Sequence, residues 1–334
     1  PLYSSAASDV YKRQVLWIPL SNAIFGYDAT ATWSLFGLSS VQTLGILGII
    51  WIAVVTFVST KGIDKISKIT SIGGTAVALL NIVLLGGGVL VVILNGELAQ
   101  PISNIAQSFT QSPSPNYQTG LAVLSFLTFA VFAFGGLEVL GGLVDQTENA
   151  EKTFPKGLAI SAIVISLGYA LGIFACGMFT NWNQVLGGEN VNMANATYIL
   201  MSNLGYKIGS GFGLSEGVSL AIGAWTARFV GLSMFLSLTG AFFTLTYSPL
   251  KTLIQGAPKE LWPGKLGELK NGMPVNAMKV QAIVVIGMIL IVSFGGKNAD
   301  EFFTILTLMT NVAMTITYMF LSAAFPAFKK KKKK

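Results

Sequence analysis

The sequence predicts an all-α integral membrane protein, and three observations lead there. Only 10% of its 334 residues are charged while 52% are hydrophobic, whereas soluble domains carry about 25% charged residues. Mean hydropathy is +0.66. Apolar runs of about 20 residues, enough to cross the hydrocarbon layer as helix, recur along the chain between polar or basic stretches.

Taken in order, spans are expected at Thr43–Ser59, Ser71–Asn95, Gly120–Leu143, Leu158–Phe179, Val218–Thr246, Val280–Phe294 and Phe302–Phe325. The sixth is short. Val15–Leu20 is apolar but cannot cross alone, and reads as the tail of a span that starts further upstream. Residues 1–14 do not match the character of the chain after them. Ser4-Ser5-Ala6-Ala7-Ser8-Asp9-Val10-Tyr11-Lys12-Arg13-Gln14 resembles translated sequencing adapter, so the segment is set aside as an artefact. The remainder is expected to form one membrane domain over 15–328, incomplete at its start, followed by a lysine run over 329–334.

The connections alternate in character. Gly96–Thr119 is rich in Ser, Pro, Asn and Gln and is expected on one side with Asn181–Gly217. The middle of the latter, Met193–Leu204, suits a short helix lying across an entrance. Asn195-Ala196-Thr197 fits a glycosylation sequon, a pattern short enough to arise by chance. On the other side, Ser248–Lys279 holds Pro249, Pro258, Pro263 and Pro274, which argues against one continuous helix. Pro155 is expected at the entry to the fourth span, where a first-turn proline costs little.

The formal charge of +7 could suggest nucleic acid, but its distribution indicates orientation in a membrane. Threading seven spans puts sixteen of the 21 basic residues on one side: Lys61, Lys65, Lys68, Lys152, Lys156, Lys251, Lys259, Lys265, Lys270, Lys279 and Lys329 to Lys334. Basic residues favour the cytoplasm, which places Ser59–Thr70 and the C-terminus there. The single cysteine, Cys176, lies in an apolar span, where a small buried residue is the plain reading. With no histidine, a Cys/His metal site is excluded, and no cofactor is expected. An enzyme would need paired carboxylates, a metal set or an activated nucleophile near the bilayer. Only two ionisable residues, Glu138 and Arg228, sit deep in the spans, so an enzyme is not expected.

The most informative segment is Phe129-Ala130-Val131-Phe132-Ala133-Phe134-Gly135-Gly136-Leu137-Glu138. Glycine weakens helix, and an acid inside a membrane is costly unless it faces protein or water. A helix broken at Gly135 and Gly136 would free backbone carbonyls and amides, the means by which many transporters hold a small polar substrate. The alternative is that the glycines allow close helix packing. Glu138 lies about 27 Å along the span if it were a straight helix. It is either an interfacial acid reaching water or a protonatable group whose pKa burial would raise. Arg228 lies about 15 Å into the fifth span. At that depth it should face protein or a water path, as a contact for a substrate carboxylate, a partner to Glu138, or a structural contact to backbone carbonyls. Asn81, Ser233, Ser237, Thr239 and Thr244 could line a path, though helix hydroxyls usually bond their own backbone.

The run Phe132-Ala133-Phe134-Gly135-Gly136-Leu137-Glu138, with Asp145-Gln146-Thr147-Glu148-Asn149-Ala150-Glu151-Lys152-Thr153-Phe154-Pro155-Lys156-Gly157 after it, resembles the sixth helix and adjoining loop of amino acid permeases. These form the amino acid–polyamine–organocation superfamily, with a LeuT-type inverted five-helix repeat. Within it, the chain is most similar to the bacterial glutamate/γ-aminobutyrate antiporter family, in an uncharacterised inner-membrane permease branch. Ser248-Pro249-Leu250-Lys251 and Gly295-Gly296 share in the resemblance. It implies that the seven spans correspond to family helices four to ten and that helix one, which supplies half the substrate site, is absent.

The resemblance further implies secondary active transport of an amino acid, by exchange or proton coupling, across the bacterial inner membrane. Carbonyls of Ala133 to Gly136 would receive the ammonium group, Phe132 or Phe134 would close over it, and Glu138 would couple protons. No lysine occurs within Ser71–Asn95 to replace a coupling cation, as one does in some relatives. The implied partners are an amino acid and the lipid bilayer, with no nucleic acid. A non-transporting fragment or accessory membrane subunit is the alternative.

Overall fold

The computed structural model describes residues 16–101, 119–120, 137–186, 191, 195–295 and isolated positions between 309 and 330. Its helices are α1 (Trp17–Phe25), α2 (Ser40–Ser59), α3 (Ile63–Asn95), α4 (Ala150–Phe179), α5 (Trp182–Leu186), α6 (Ala196–Gly211), α7 (Glu216–Gly256) and α8 (Val275–Phe294). A 3₁₀ segment, Leu137–Gln146, precedes α4, and no strand occurs among the described residues. Five helices, α2, α3, α4, α7 and α8, are long and apolar enough to cross a membrane. They coincide with five of the expected spans. The others, Gly120–Leu143 and Phe302–Phe325, lie largely outside the described residues.

Local sequence explains where several helices start and stop. Ser39 and Gln42 form a reciprocal capping box at the start of α2, satisfying two amides that would otherwise lack partners. α1 and α3 end at Gly26 and Gly96, both left-handed, a conformation that costs glycine little. Between them the helices leave large apolar side chains outward, for example Ile160, Ile163, Leu167 and Phe174 on α4. Such a surface suits lipid, where the backbone must bond within its own helix.

Helix boundaries exceed what hydropathy indicates. α4 begins at Ala150, so Pro155 is inside the helix rather than in its first turn. α7 continues past Thr246 and through Pro249 to Gly256, and α8 begins at Val275 rather than Val280. Hydropathy marks where side chains meet lipid, whereas hydrogen bonding carries the helix on into the interface. A single proline removes one bond and leaves the rest of the ladder able to continue.

α7 is the central pillar, packed most extensively on α6, α3 and α1. Backbones touch there because side chains are missing. A Cβ on Gly231 would lie 2.7 Å from the Pro19 carbonyl oxygen, and one on Gly73 would lie 2.7 Å from that of Leu236. Small residues at such crossings are a usual device of membrane helices.

Two apolar clusters occupy the two ends of the pillar. Ile18, Val91, Phe179, Tyr198, Leu204 and Val230 form one. Val55, Ile66, Phe243, Tyr247, Met273 and Met278 form the other. The connections sort in the same way. Ala99 and Gln100 amides donate to the Met178 and Gly177 carbonyls at 3.1 and 2.9 Å, and Asn203 Nδ2 donates to the Phe179 carbonyl at 2.8 Å. The loop after α3 and the helix α6 therefore meet at the far end of α4, on one side, as threading expects.

Gly231→Ala should lower Tm in detergent by several degrees, since overpacking costs about 1–3 kcal/mol. Gly74, whose Cβ would meet nothing within 4 Å, is the control. Gly74→Ala should leave Tm unchanged or slightly raised, because glycine within a helix costs about 0.5–1 kcal/mol relative to alanine. Equal shifts in a fluorescence-detected thermal scan would show that the α1–α7 contact is not tight.

Candidate functional site

The expected binding residues Phe132, Ala133, Phe134, Gly135 and Gly136 lie outside the described residues. The segment immediately after them is described: Leu137–Gln146, including the backbone of Glu138, is 3₁₀ for ten residues. Runs beyond three or four are uncommon, because 3₁₀ hydrogen bonds are poorly aligned and side chains eclipse.

At one end of α7 a cavity of about 540 Å³ opens between α1, α6 and α7, lined by Asn22, Tyr27, Asp28, Asn195, Tyr198 and Tyr206 among others. Its floor is built by the end of α1. Gly26 turns the chain at φ +84° and its amide donates to the Asn22 carbonyl at 2.8 Å. Ser21 Oγ accepts the Ala29 amide and donates to the Tyr27 carbonyl. Asp28 Oδ1 accepts the Thr30 amide at 2.9 Å. Burial, and then the nearby Asp28 carboxylate, push the Tyr198 phenol well above its usual range, so it acts there as a neutral hydrogen-bonding group.

Arg228 packs against Gly26, one of the residues that line this cavity. Its guanidinium donates to the Phe25 carbonyl at 3.2 Å and stacks 5.1 Å from the Trp225 ring centre. Nε is buried without a partner. A Cβ on Gly26 would lie 3.1 Å from that nitrogen, so glycine makes room for the arginine as well as for the turn. Centring a hydrocarbon layer of about 30 Å on α7 puts Arg228 some 12 Å from its middle, near one edge. This is shallower than the position hydropathy suggests, because α7 extends further at its other end.

Arg228 does not pair with Glu138. Gly142 abuts Ser248, which lies about 30 Å of helix beyond Arg228, and Glu138 precedes Gly142 by about 8 Å of 3₁₀ rise. Their backbones are thus separated by more than about 20 Å. Of the smaller polar residues, Asn81, Thr239 and Thr244 bond the carbonyls of Val77, Phe235 and Gly240 on their own helices.

A charged pair that hydropathy conceals lies at the other end of α7. Lys251 is fully buried, and its Nζ donates to Asp145 Oδ1 at 2.8 Å. Gln255 Nε2 donates to Asp145 Oδ2 at 3.1 Å. Burial raises the Asp145 carboxyl, but the Lys251 and Gln255 hydrogen bonds and the lysine charge outweigh it and hold the group below its ordinary 3.8. From sequence, Lys251 belongs to a basic loop because Pro249 looks like a stop. The signal that finds it is the buried stripe Phe243, Tyr247, Lys251 and Ile254, whose helical spacing continues across the proline. No group of His, Cys, Asp and Glu suited to a metal occurs among the described residues.

The chain matches the family described as amino acid permease over residues 13–334. It belongs to that family. The chain is 52% identical over 316 residues to the inner membrane transporter YjeM of Salmonella typhimurium, covering 94% of this chain and 62% of the relative. The YjeM of Escherichia coli gives the same identity and coverage. The aspartate/glutamate permease AcaP of Lactococcus lactis is 24% identical over 312 residues, 90% of this chain and 58% of its own length. No solved structure matches. The chain therefore spans about three-fifths of the length of these relatives, and its family falls within the amino acid–polyamine–organocation superfamily.

Because the Asp145 carboxyl is depressed in the fold, its stabilising contribution is present above the unfolded value near 3.8 and is lost as pH falls through the folded value. The Tm difference between the parent and Asp145→Asn should stay constant from about pH 8 to 5 and shrink only below about 3.8. A difference that already collapses near pH 6 would show that Asp145 is not held ionised by Lys251.

Proposed function

We propose that the protein is a secondary active amino acid transporter of the bacterial inner membrane that works by alternating access. The observation that carries this reading is the ten residues of 3₁₀ geometry, Leu137–Gln146, that follow Gly135 and Gly136 in the sequence of a chain of the permease family. Carbonyls of Ala133 to Gly136 would take the substrate ammonium, which suits a site of unwound backbone near the midplane. Phe132 or Phe134 would close over it, with a cation–π contribution of about 0.5–2 kcal/mol.

Entry is assigned to the cavity beside Arg228, on the outer side, with the lysine-rich end of α7 and the C-terminus in the cytoplasm. Asp28 lines that cavity and Arg228 packs behind Gly26 in its wall, and opposite charges on the two would suit a zwitterion. Arg228 commits one nitrogen to Phe25. A guanidinium has five donors in a planar fork, so it retains capacity for a carboxylate. Acidic or γ-aminobutyrate-like amino acids fit this reading, which the aspartate/glutamate permease among the relatives supports. Exchange or proton coupling follows, with Glu138 as the protonatable group.

Counterflow in proteoliposomes holding the full-length protein, screened with a panel of internal amino acids, tests the reading. Uptake should accelerate with internal glutamate or γ-aminobutyrate. Arg228→Ala should raise KM about tenfold or more at unchanged Tm, as loss of a charged hydrogen bond would. A lowered Tm with unchanged KM would assign Arg228 to capping α1 alone, and no acceleration by any internal amino acid would remove exchange. Glu138→Gln should abolish the pH dependence of uptake; a profile unchanged from the parent would remove Glu138 from coupling.

A further inference from the structure

Two features set the Asp145–Lys251 pair apart from an ordinary surface ion pair. Lys251 is wholly buried while the Asp145 side chain is 44% exposed, so water reaches the pair from one side only. A fully exposed pair would hold almost nothing, and a fully buried one would be very costly to part. The second feature is what the pair joins. Lys251 stands on α7, fixed to α3 where a Cβ on Gly240 would lie 3.0 Å from Thr70. Asp145 stands on the ten-residue 3₁₀ segment, which packs mainly on α7.

The surrounding contacts close one seam. Gly142 rests against the Ser248 backbone with no room for a Cβ, and Gly141 faces Thr252. Leu143 packs on the cluster containing Phe243 and Tyr247, and Gln255 holds the second Asp145 oxygen. Among the described residues, the other contacts of the seam are made by Gly141, Gly142 and Leu143.

We infer that the Asp145–Lys251 pair is a clamp that keeps the Leu137–Gln146 segment shut against α7, and that its release opens the transport path at the cytoplasmic end. The inference rests on the transporter reading above. Parting the two exposes the lysine to water rather than leaving it buried and unpaired, so the open state is hydrated and reachable. The poorly bonded 3₁₀ geometry gives the segment somewhere to go, because rewinding or unwinding costs it little.

The test uses the full-length protein carrying Cys176→Ala and Ser248→Cys, in inside-out vesicles exposed to a membrane-impermeant maleimide. Ser248 is buried beneath Gly142, so a thiol there should label slowly. Asp145→Asn should raise the labelling rate about tenfold or more, as expected from loss of a buried charge's partner. Lys251→Met removes the charge without leaving it unpaired, so it folds where the first variant fails, and it should raise labelling too. In counterflow, both variants should alter the maximal rate while holding KM within about twofold, which a purely structural tie would not do.

Labelling of Asp145→Asn and Lys251→Met at the parent rate overturns the clamp and leaves the transporter reading intact. Acceleration in Asp145→Asn alone assigns the effect to the stranded lysine and also overturns it. Fast labelling in both, from a parent that shows no counterflow with any amino acid, removes the transporter reading and the gating role with it.

Discussion

Helix α7 can lie against α1 and α3 only because their contact points lack side chains. A Cβ at Gly231 or Gly73 would run into neighbouring backbone. In lipid there is little hydrophobic gain from bringing two apolar helices together, so close van der Waals contact has to supply the attraction. The two end clusters, the position of the cavity and the reach of Lys251 towards Asp145 all depend on where this 41-residue helix is pinned. Its length, about 60 Å, exceeds the hydrocarbon layer, and this allows it to carry one cation near each interface rather than at mid-membrane.

The two cations are satisfied by different means. Arg228 ends on a helix C-terminal carbonyl and an indole ring, partners that attract positive charge without being ions themselves. It therefore keeps donors to spare beside a polar cavity. Lys251 ends on a carboxylate, and its compact ammonium, fully buried, has far fewer alternatives. In the transport cycle proposed above, one end of the pillar would serve recognition and the other closure.

Membership of the amino acid permease family and close similarity to the YjeM transporters agree with that arrangement. The local chemistry adds what family membership leaves open. Asp28 and Arg228 give opposite charges at one entrance, and Asp145 joins an irregular helical segment to a rigid one at the other. On the proposed reading, a substrate with both an amine and a carboxylate would meet the first, and a reversible seal would meet the second.

Much of the fold is legible in the order of residues. Hydropathy locates α2, α3, α4, α7 and α8, since lipid exposure demands long apolar runs whatever their neighbours. Alternation of basic and polar connections sorts the loops into two sides, and α6 starts within three residues of where the sequence suits a short helix. The glycine pair expected to break a helix lies outside the described residues, and 3₁₀ geometry starts at Leu137. What the order of residues does not decide is partnership. Pro155 and Pro249 look like boundaries because an isolated turn weakens at proline, yet each removes one hydrogen bond and both helices continue through it. Arg228 and Glu138 look like partners because both are charges in apolar spans, and only the placement of Gly142 against Ser248 separates them. Lys251 looks like one more loop lysine until the fold brings Asp145, more than a hundred positions earlier in the chain, to within 2.8 Å. Composition determines which segments enter the membrane, because each residue meets lipid individually. Pairing of charges depends on which helices touch, and only the tertiary structure decides that.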